Sequence, residues 1–224
     1  MNGGPYITRL SAWAPGVENS DEWGQWAQGK HGISSGTRAP AIAFTDSMFR
    51  RRLSQISKMT VQVVHDLLPV EEETKMFFVS FRGELSRQFQ INKMLIEEKS
   101  LMPAAFSLSV FNAPAALASI ALGLKGGYSA LYPGNNSFSA ALSAASASFV
   151  SSPQEELIFI YADEEPPPEY RRCFNACPLP LAFAFLLTRE PRSSSVPLPP
   201  LSEAGGPPDF LRRILLCGKL HVAS

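Results

Sequence analysis

Between Lys99 and Glu155 the chain carries one charged residue, Lys125, in a stretch dominated by alanine, serine and glycine. Burying an unpaired charge is costly, so a long segment that avoids charge is built to be shut off from water on most sides. The run from Ser137 to Phe149 is the extreme case: it reads as a helix, yet it has no charged face. A helix at the surface of a globular domain normally keeps one. Small side chains let neighbouring backbones approach closely, so this helix is expected either between layers of its own chain or beneath a second subunit. A chain of 224 residues has little material to cover it fully, which favours the second subunit. The plainer alternative is a weakly polar, serine-decorated surface helix.

The charge deficit is local. Charged residues make up 18% of the chain, but Lys plus Arg and Asp plus Glu number 20 each, so no net field draws nucleic acid or an anionic membrane. The N-terminal run from Met1 to Ile7 lacks a basic segment followed by an apolar one, and no secretory signal is expected. Leu101 to Leu124 is free of Asp, Glu, Lys and Arg but contains Pro103, Asn112 and Pro114, which suits a buried segment better than a bilayer span. Leu179 to Thr188 is too short to cross a membrane, so a cytoplasmic protein with no membrane span is expected. Cys173, Cys177 and Cys217 form no even disulfide framework, and the Cys173/Cys177 spacing lacks a second ligand pair. Reduced cysteines, no metal and no cofactor are expected.

Hydrophobic periodicity sets the element order. Tyr6 to Trp13 reads as a strand, followed by a loop through Gly36. One long helix is expected over Ser47 to Leu68, with Leu53, Ile56, Val63, Val64 and Leu67 on one face and Asp46 or Thr45 as its cap. Lys75 to Phe81 looks like a central strand. Helices follow at Glu84 to Glu98 and Ala113 to Leu122, then a strand at Tyr128 to Tyr132 and the uncharged helix. Strands at Glu156 to Ala162 and Leu181 to Thr188 flank a loop containing Pro166, Pro167 and Pro168. The order βαβαβαββ predicts an α/β fold with a five-stranded, mostly parallel mixed sheet. Residues 1–188 are expected to form the domain and 189–208 a Pro/Ser-rich linker. Residues 209–224 read as a short helix, Phe210 to Leu216, with Asp209 as its cap, and a tail.

Three blocks together carry a family resemblance: Arg50 to Met59, Phe81 to Arg87 (Phe-Arg-Gly-Glu-Leu-Ser-Arg), and Phe106 to Leu124, which runs into Lys125-Gly126-Gly127-Tyr128-Ser129. They resemble β-ketoacyl synthases, and more closely the short ketosynthase-like proteins of aryl polyene and related fatty-acid-like pathways. The resemblance spans roughly residues 5 to 188 and implies half of a thiolase-like fold, with helices on both sheet faces. It also implies a chain-length-factor type of subunit that pairs as a heterodimer with a complete β-ketoacyl synthase and meets acyl carrier protein transiently. Under it, Phe106, Phe111, Asn112 and Leu117 lie beside the acyl tunnel. The strand Tyr128, Ser129, Ala130, Leu131 and Tyr132, with Phe138, lies at the subunit interface. Core packing is the competing account of Phe111 and Leu117. Arg50, Arg51 and Arg52 are either a solvated helix face or a docking site for the acidic carrier protein.

A condensing enzyme of this family needs a thiolate on a tight strand-to-helix turn and two basic groups for decarboxylation. Alignment of the glycine block puts that turn at Pro133 to Ser137 and the nucleophile position at Asn135. An amide cannot carry a thioester, so the chain is expected to be no enzyme. Ser137 reads as a helix cap. Two other readings stand beside this one: a divergent acyltransferase or hydrolase using Ser137, and a homodimeric scaffold for carrier protein.

Overall fold

The computed structural model describes residues 4–100, 103–173, 178–200, 202 and 204–223. In chain order the elements are β1 (Tyr6–Trp13), α1 (Ser20–Ala27), α2 (Ser47–Arg52), α3 (Gln55–His65), β2 (Lys75–Val79) and α4 (Leu85–Glu97). They continue with α5 (Pro103–Ser107), α6 (Ala113–Leu122), β3 (Tyr128–Leu131), α7 (Phe138–Val150), β4 (Glu156–Asp163) and β5 (Leu181–Thr188). Last come β6 (Val196–Pro197), α8 (Pro207–Leu216) and β7 (Val222–Ala223).

The sheet runs β3-β2-β4-β5-β1-β6, with β7 also paired to β1. β2 is parallel to both β3 and β4, whereas β5 is antiparallel to β4 and to β1. Strands β1 to β4 therefore point one way and β5 the other. This is the expected mostly parallel mixed sheet, in the thiolase-like arrangement. It has seven strands among the described residues rather than five, because β6 and β7 add short pairings to β1.

Side-chain alternation divides the core cleanly. Phe77, Val79, Leu157, Phe159, Tyr161, Phe183, Phe185 and Leu187 point to one face, where α1, α7 and α8 pack. Met76, Phe78, Ile158, Ile160, Ala162, Ala182, Ala184 and Leu186 point to the other, beneath α3 and α6. Both faces are covered, so the central strands read as continuous apolar runs. One layer is aromatic, with Phe159 stacked on Phe185 at 4.6 Å and Phe138 edge-on to both Phe159 and Phe183. The other places small Ala182 and Ala184 on β5 under the β-branched α3 (Ile56, Val63, Val64), which lets that helix sit close.

Four local expectations are corrected. The single helix over Ser47 to Leu68 is two. Asp46 caps α2 through the N–H groups of Met48 and Phe49, Leu53 turns extended (ψ 136°), and Ser54 Oγ then caps α3 by accepting from Ser57 N–H. The segment expected as a loop before Gly36 contains α1, started by a capping box in which Asn19 accepts from Glu22 N–H and Glu22 accepts from Asn19 N–H. Within 189–208, expected as a linker, Val196 and Pro197 pair with Ile7 and Tyr6. The terminal helix begins earlier than expected, at Pro207, and buries Phe210, Leu211 and Ile214 in the aromatic layer. No helix among the described residues is long and apolar enough to cross a membrane.

Candidate functional site

Three parallel strands, β2, β3 and β4, end side by side, and the turn from β3 into α7 stands at that end. Ligand sites of open α/β sheets lie at the carboxyl ends of strands. Val79 on β2 is registered with Leu131 on β3 and Tyr161 on β4. Beyond Leu131, Gly134 to Asn136 form a tight 3-10 turn in which Asn135 adopts φ 55°, ψ 25°, the left-handed conformation that Asn tolerates better than most residues. Asn135 is exposed. Ser137 Oγ accepts from Ala140 N–H at 3.3 Å and lies 3.1 Å from Ser139 Oγ. It caps α7. The floor under the turn is aromatic: the Tyr161 ring lies 5.7 Å from Phe81 and 5.8 Å from Phe138.

The described cysteines and histidines lie elsewhere. Cys173 and Cys217 are exposed, the first in the loop after β4 and the second at the end of α8. Cys177 lies outside the described residues. His31 bonds the Gly16 carbonyl, and His65 stacks on Phe44 with its Nδ1 3.1 Å from Asp66. His221 is exposed just ahead of β7.

The glycine block that carries part of the resemblance is explained by backbone geometry. Gly123 ends α6 in the left-handed conformation (φ 67°). Lys125 N–H and Gly126 N–H both bond the Glu72 carbonyl, and a Cβ on Gly126 would fall 2.0 Å from the Glu73 carbonyl oxygen. Only glycine fits where the two backbones cross. The second block has a similar reason: Gly83 has φ 56°, and a Cβ there would meet the Phe111 ring at 2.7 Å.

The four residues expected beside a tunnel are not brought together. Leu117 is buried in the α3/α6 layer, and Phe111 packs there edge-on to Phe78 at 6.0 Å. Asn112 donates to the Tyr128 hydroxyl at 3.0 Å, tying the start of α6 to β3. Phe106 borders a hollow of about 290 Å³ between α4 and α5, shared with Gln88, Ile91, Asn92, Ser109 and Val110. A larger hollow of about 610 Å³ lies along the other side of α4, among Phe89, Leu95, Ile96 and Tyr170.

Among the interface candidates, Ser129 and Ala130 are exposed, Tyr132 is 55% exposed, and Tyr128 and Leu131 are half-buried. Phe138 is corrected to core. It is 1% exposed, because the first position of α7 faces the sheet and places its ring 5.5 Å from Phe210 on α8. β3 is the terminal strand of the sheet, bonded only to β2 among the described residues. Of the arginine triplet, Arg50 is engaged with the carbonyls of Ala43 and Thr45, whereas Arg51 and Arg52 have exposed side chains. Arg50, Arg51 and Lys58 border a shallow hollow of about 350 Å³.

A buried polar cluster behind the turn escaped the sequence reading. Asp163, fully buried, accepts from Ser80 Oγ (2.6 Å), Phe81 N–H (3.1 Å), Arg82 N–H (3.0 Å) and the Tyr161 hydroxyl (2.7 Å), and faces the Arg82 guanidinium at 3.4 Å. Burial, helped by the Asp163 charge, pushes the Tyr161 hydroxyl well above its usual pKa. Glu84, also fully buried, accepts from Ser54 Oγ, Ser57 Oγ and Arg87 Nε. The available signal was Asp163, Glu164 and Glu165 standing directly after an apolar strand, where acids need partners.

The family model described as "beta-ketoacyl synthase, N-terminal domain" matches residues 23–202. Among solved structures, the chain is similar to a ketosynthase (ApeO) in complex with its chain length factor (ApeC) from Xenorhabdus doucetiae. Identity is 25% and the TM-score 0.68, over 84% of this chain and 79% of that one. It is also similar to the ishigamide ketosynthase/chain length factor (15% identity, TM-score 0.68, 88% of this chain and 65% of that one). A type II polyketide ketosynthase complex with acyl carrier protein, AntDE:AntF, matches at 13% identity and TM-score 0.61, over 84% of this chain and 64% of that one. The chain spans less than two thirds of the latter two, whose likeness is one of fold. No curated protein matches it. With the family model covering most of its length, the chain belongs to the β-ketoacyl synthase N-terminal-domain family.

Proposed function

We propose that the chain is a non-catalytic, chain-length-factor type of subunit that pairs with a complete β-ketoacyl synthase and helps shape its acyl tunnel, in polyketide synthesis of the fatty-acid-like, aryl polyene kind. The observation that carries this reading is the turn from β3 to α7. A strand-turn-helix of the kind that presents a nucleophile holds Asn135 at its left-handed position, and an amide forms no thioester. The ApeO/ApeC likeness supports it further: 84% of this chain covers 79% of the matched one, so the two are of similar length.

The pairing surface is β3 with the outer face of α7. An open strand edge presents unpaired N–H and C=O groups, and a second strand is its natural complement. Phe106 and the hollow it borders are the chain's contribution to the tunnel. Arg51 and Arg52, exposed beside the Arg50/Lys58 hollow, are the docking site for the acidic carrier protein.

The test is co-expression of the full chain with a complete ketosynthase from the same source. A stable heterodimer whose product length differs from that of the ketosynthase alone is expected. Condensation by the chain alone, or acylation of Ser137 on incubation with an acyl thioester, would overturn the non-catalytic reading. A persistent homodimer that leaves ketosynthase activity and product length unchanged would overturn the pairing.

A further inference from the structure

Helix α4 is held by few contacts, all in its N-terminal half. Ile91 is its only buried side chain, and Leu95 and Ile96 farther along are 50% and 77% exposed. Glu84, at the N-cap position, makes no cap bond with its side chain, because its carboxylate is occupied by Ser54, Ser57 and Arg87. The free N–H of Ser86 is bonded instead by Glu164 Oε1, at 3.1 Å, from the end of β4. Along the rest of the helix, Gln88 donates to the Ser109 carbonyl, and Phe89 lies edge-on to Tyr170 at 5.5 Å.

Glu164 is 3% exposed, its carboxyl lying between the first turns of α4 and α3. The groups around it pull in both directions. Ser86 on α4 and the Ile56 N–H at the start of α3 favour its ionised form, and the Glu84 charge opposes it. Arg82 donates from Nε to the Glu164 main-chain carbonyl and pairs with Asp163, while Arg87 pairs with Glu84 and donates to the Arg52 carbonyl. Neighbouring Glu165 is held by Arg171.

We propose that α4 is a pH-linked movable element: its docked position keeps Glu164 out of water, and ionisation of that carboxyl favours release of the helix. Desolvation raises the Glu164 pKa from 4.5 to about 7. The docked state therefore holds the proton more tightly; docking is favoured in acid and loses that advantage as pH rises through about 7. With the released carboxyl at its ordinary value, docking weakens by at most about tenfold between pH 6 and pH 8. Both hollows beside α4 share Asn92, so their shape follows the position of the helix.

Amide hydrogen exchange on the full-length chain at pH 6 and pH 8, corrected for intrinsic rates, tests this. Protection of residues 85–97 should fall by up to about tenfold while α3 and β4 hold theirs. Glu164→Gln, neutral and of the same shape, should leave α4 equally protected at both pH values. Equal protection of α4 in the unmodified chain at both pH values, or the same pH dependence retained in Glu164→Gln, would overturn the proposal. Should that variant not fold, carbon-13 titration of the Glu164 carboxyl in the unmodified chain decides: a midpoint near 7 supports the device, and one near 4.5 removes it.

Discussion

Helices α7 and α8 cover the same aromatic face of the sheet, and Phe138 of one meets Phe210 of the other at 5.5 Å, yet their outer faces differ in charge. On α8 the exposed positions are Pro208, Asp209, Arg213 and Leu216, while Arg212 lies half-buried over the Trp26 ring at 4.9 Å. On α7 they are Ala140, Ser143, Ala147 and Val150, the last 60% exposed. Both helices bury one side equally well, so the inner packing does not account for the difference. A charged outer face is the ordinary finish of a helix that meets water. The uncharged face of α7 follows β3 in the chain, whose edge exposes Ser129 and Ala130, and α6 on the opposite face of the sheet exposes Ile120 at 71%. α8 turns charged side chains to solvent, whereas α7 and β3 form the uncharged surface proposed above for pairing.

The largest expected effect falls where the two helices agree. Phe138→Ala removes the ring that joins them and should destabilise the chain by about 3–5 kcal/mol, read by urea unfolding. A loss below about 1 kcal/mol would mean that α7 and α8 are not packed through it. The next variant separates them. Ala147→Arg should change monomer stability by less than about 0.5 kcal/mol but weaken association with the ketosynthase by about 2–4 kcal/mol, since the new charge would be buried unpaired. Unchanged affinity in sedimentation or calorimetry would make α7 an ordinary solvent face.

Arg189 tests how α7 is anchored. Its guanidinium bonds the carbonyls of Phe149, Ser152 and Gln154 and lies over the Phe149 ring at 5.1 Å, completing the helix's C-terminal end. Arg189→Ala should cost about 1–2 kcal/mol of stability by thermal or urea unfolding, and Arg189→Lys most of that, because lysine cannot reach three carbonyls from one planar group. The smallest effect belongs to α8: Arg212→Ala should cost no more than about 1 kcal/mol and leave association untouched. If it weakened pairing as much as Ala147→Arg, the contrast between the two outer faces would fail.

Much of this fold was legible because its signals are local. Ala113–Leu122 and Leu181–Thr188 form the expected helix and strand with unchanged ends, the first closed by Gly123 and the second a continuous apolar run between polar loops. The break between α2 and α3 was less visible. Leu53 belongs to the apolar periodicity of the whole stretch, and the deciding residue, Ser54, looks like any helix serine until its hydroxyl is seen reaching Glu84, thirty positions away. Helix α1 was readable from Asn19 and Glu22 alone, but the glycines and tryptophans around it masked the capping box. The site divides the same way. The position of Asn135 on a strand-to-helix turn followed from the resemblance of the glycine block to the family's motif, whereas the placing of Phe111, Leu117 and Phe138 in the core depends on which side of each helix meets the sheet.

From its amino acids alone this protein had its α/β class, its strand order along the chain and a segment that avoids charge. Those are matters of periodicity, spacing and composition, which act over a few residues and survive without a partner in space. Tertiary structure alone decided that Glu84, Asp163 and Glu164 share one buried polar cluster, that Gly126 passes against the Glu73 carbonyl, and that α7 and α8 close one face with opposite outer surfaces. Each depends on groups far apart in sequence meeting at hydrogen-bond or van der Waals distance, and it is the packing of the sheet that brings them there.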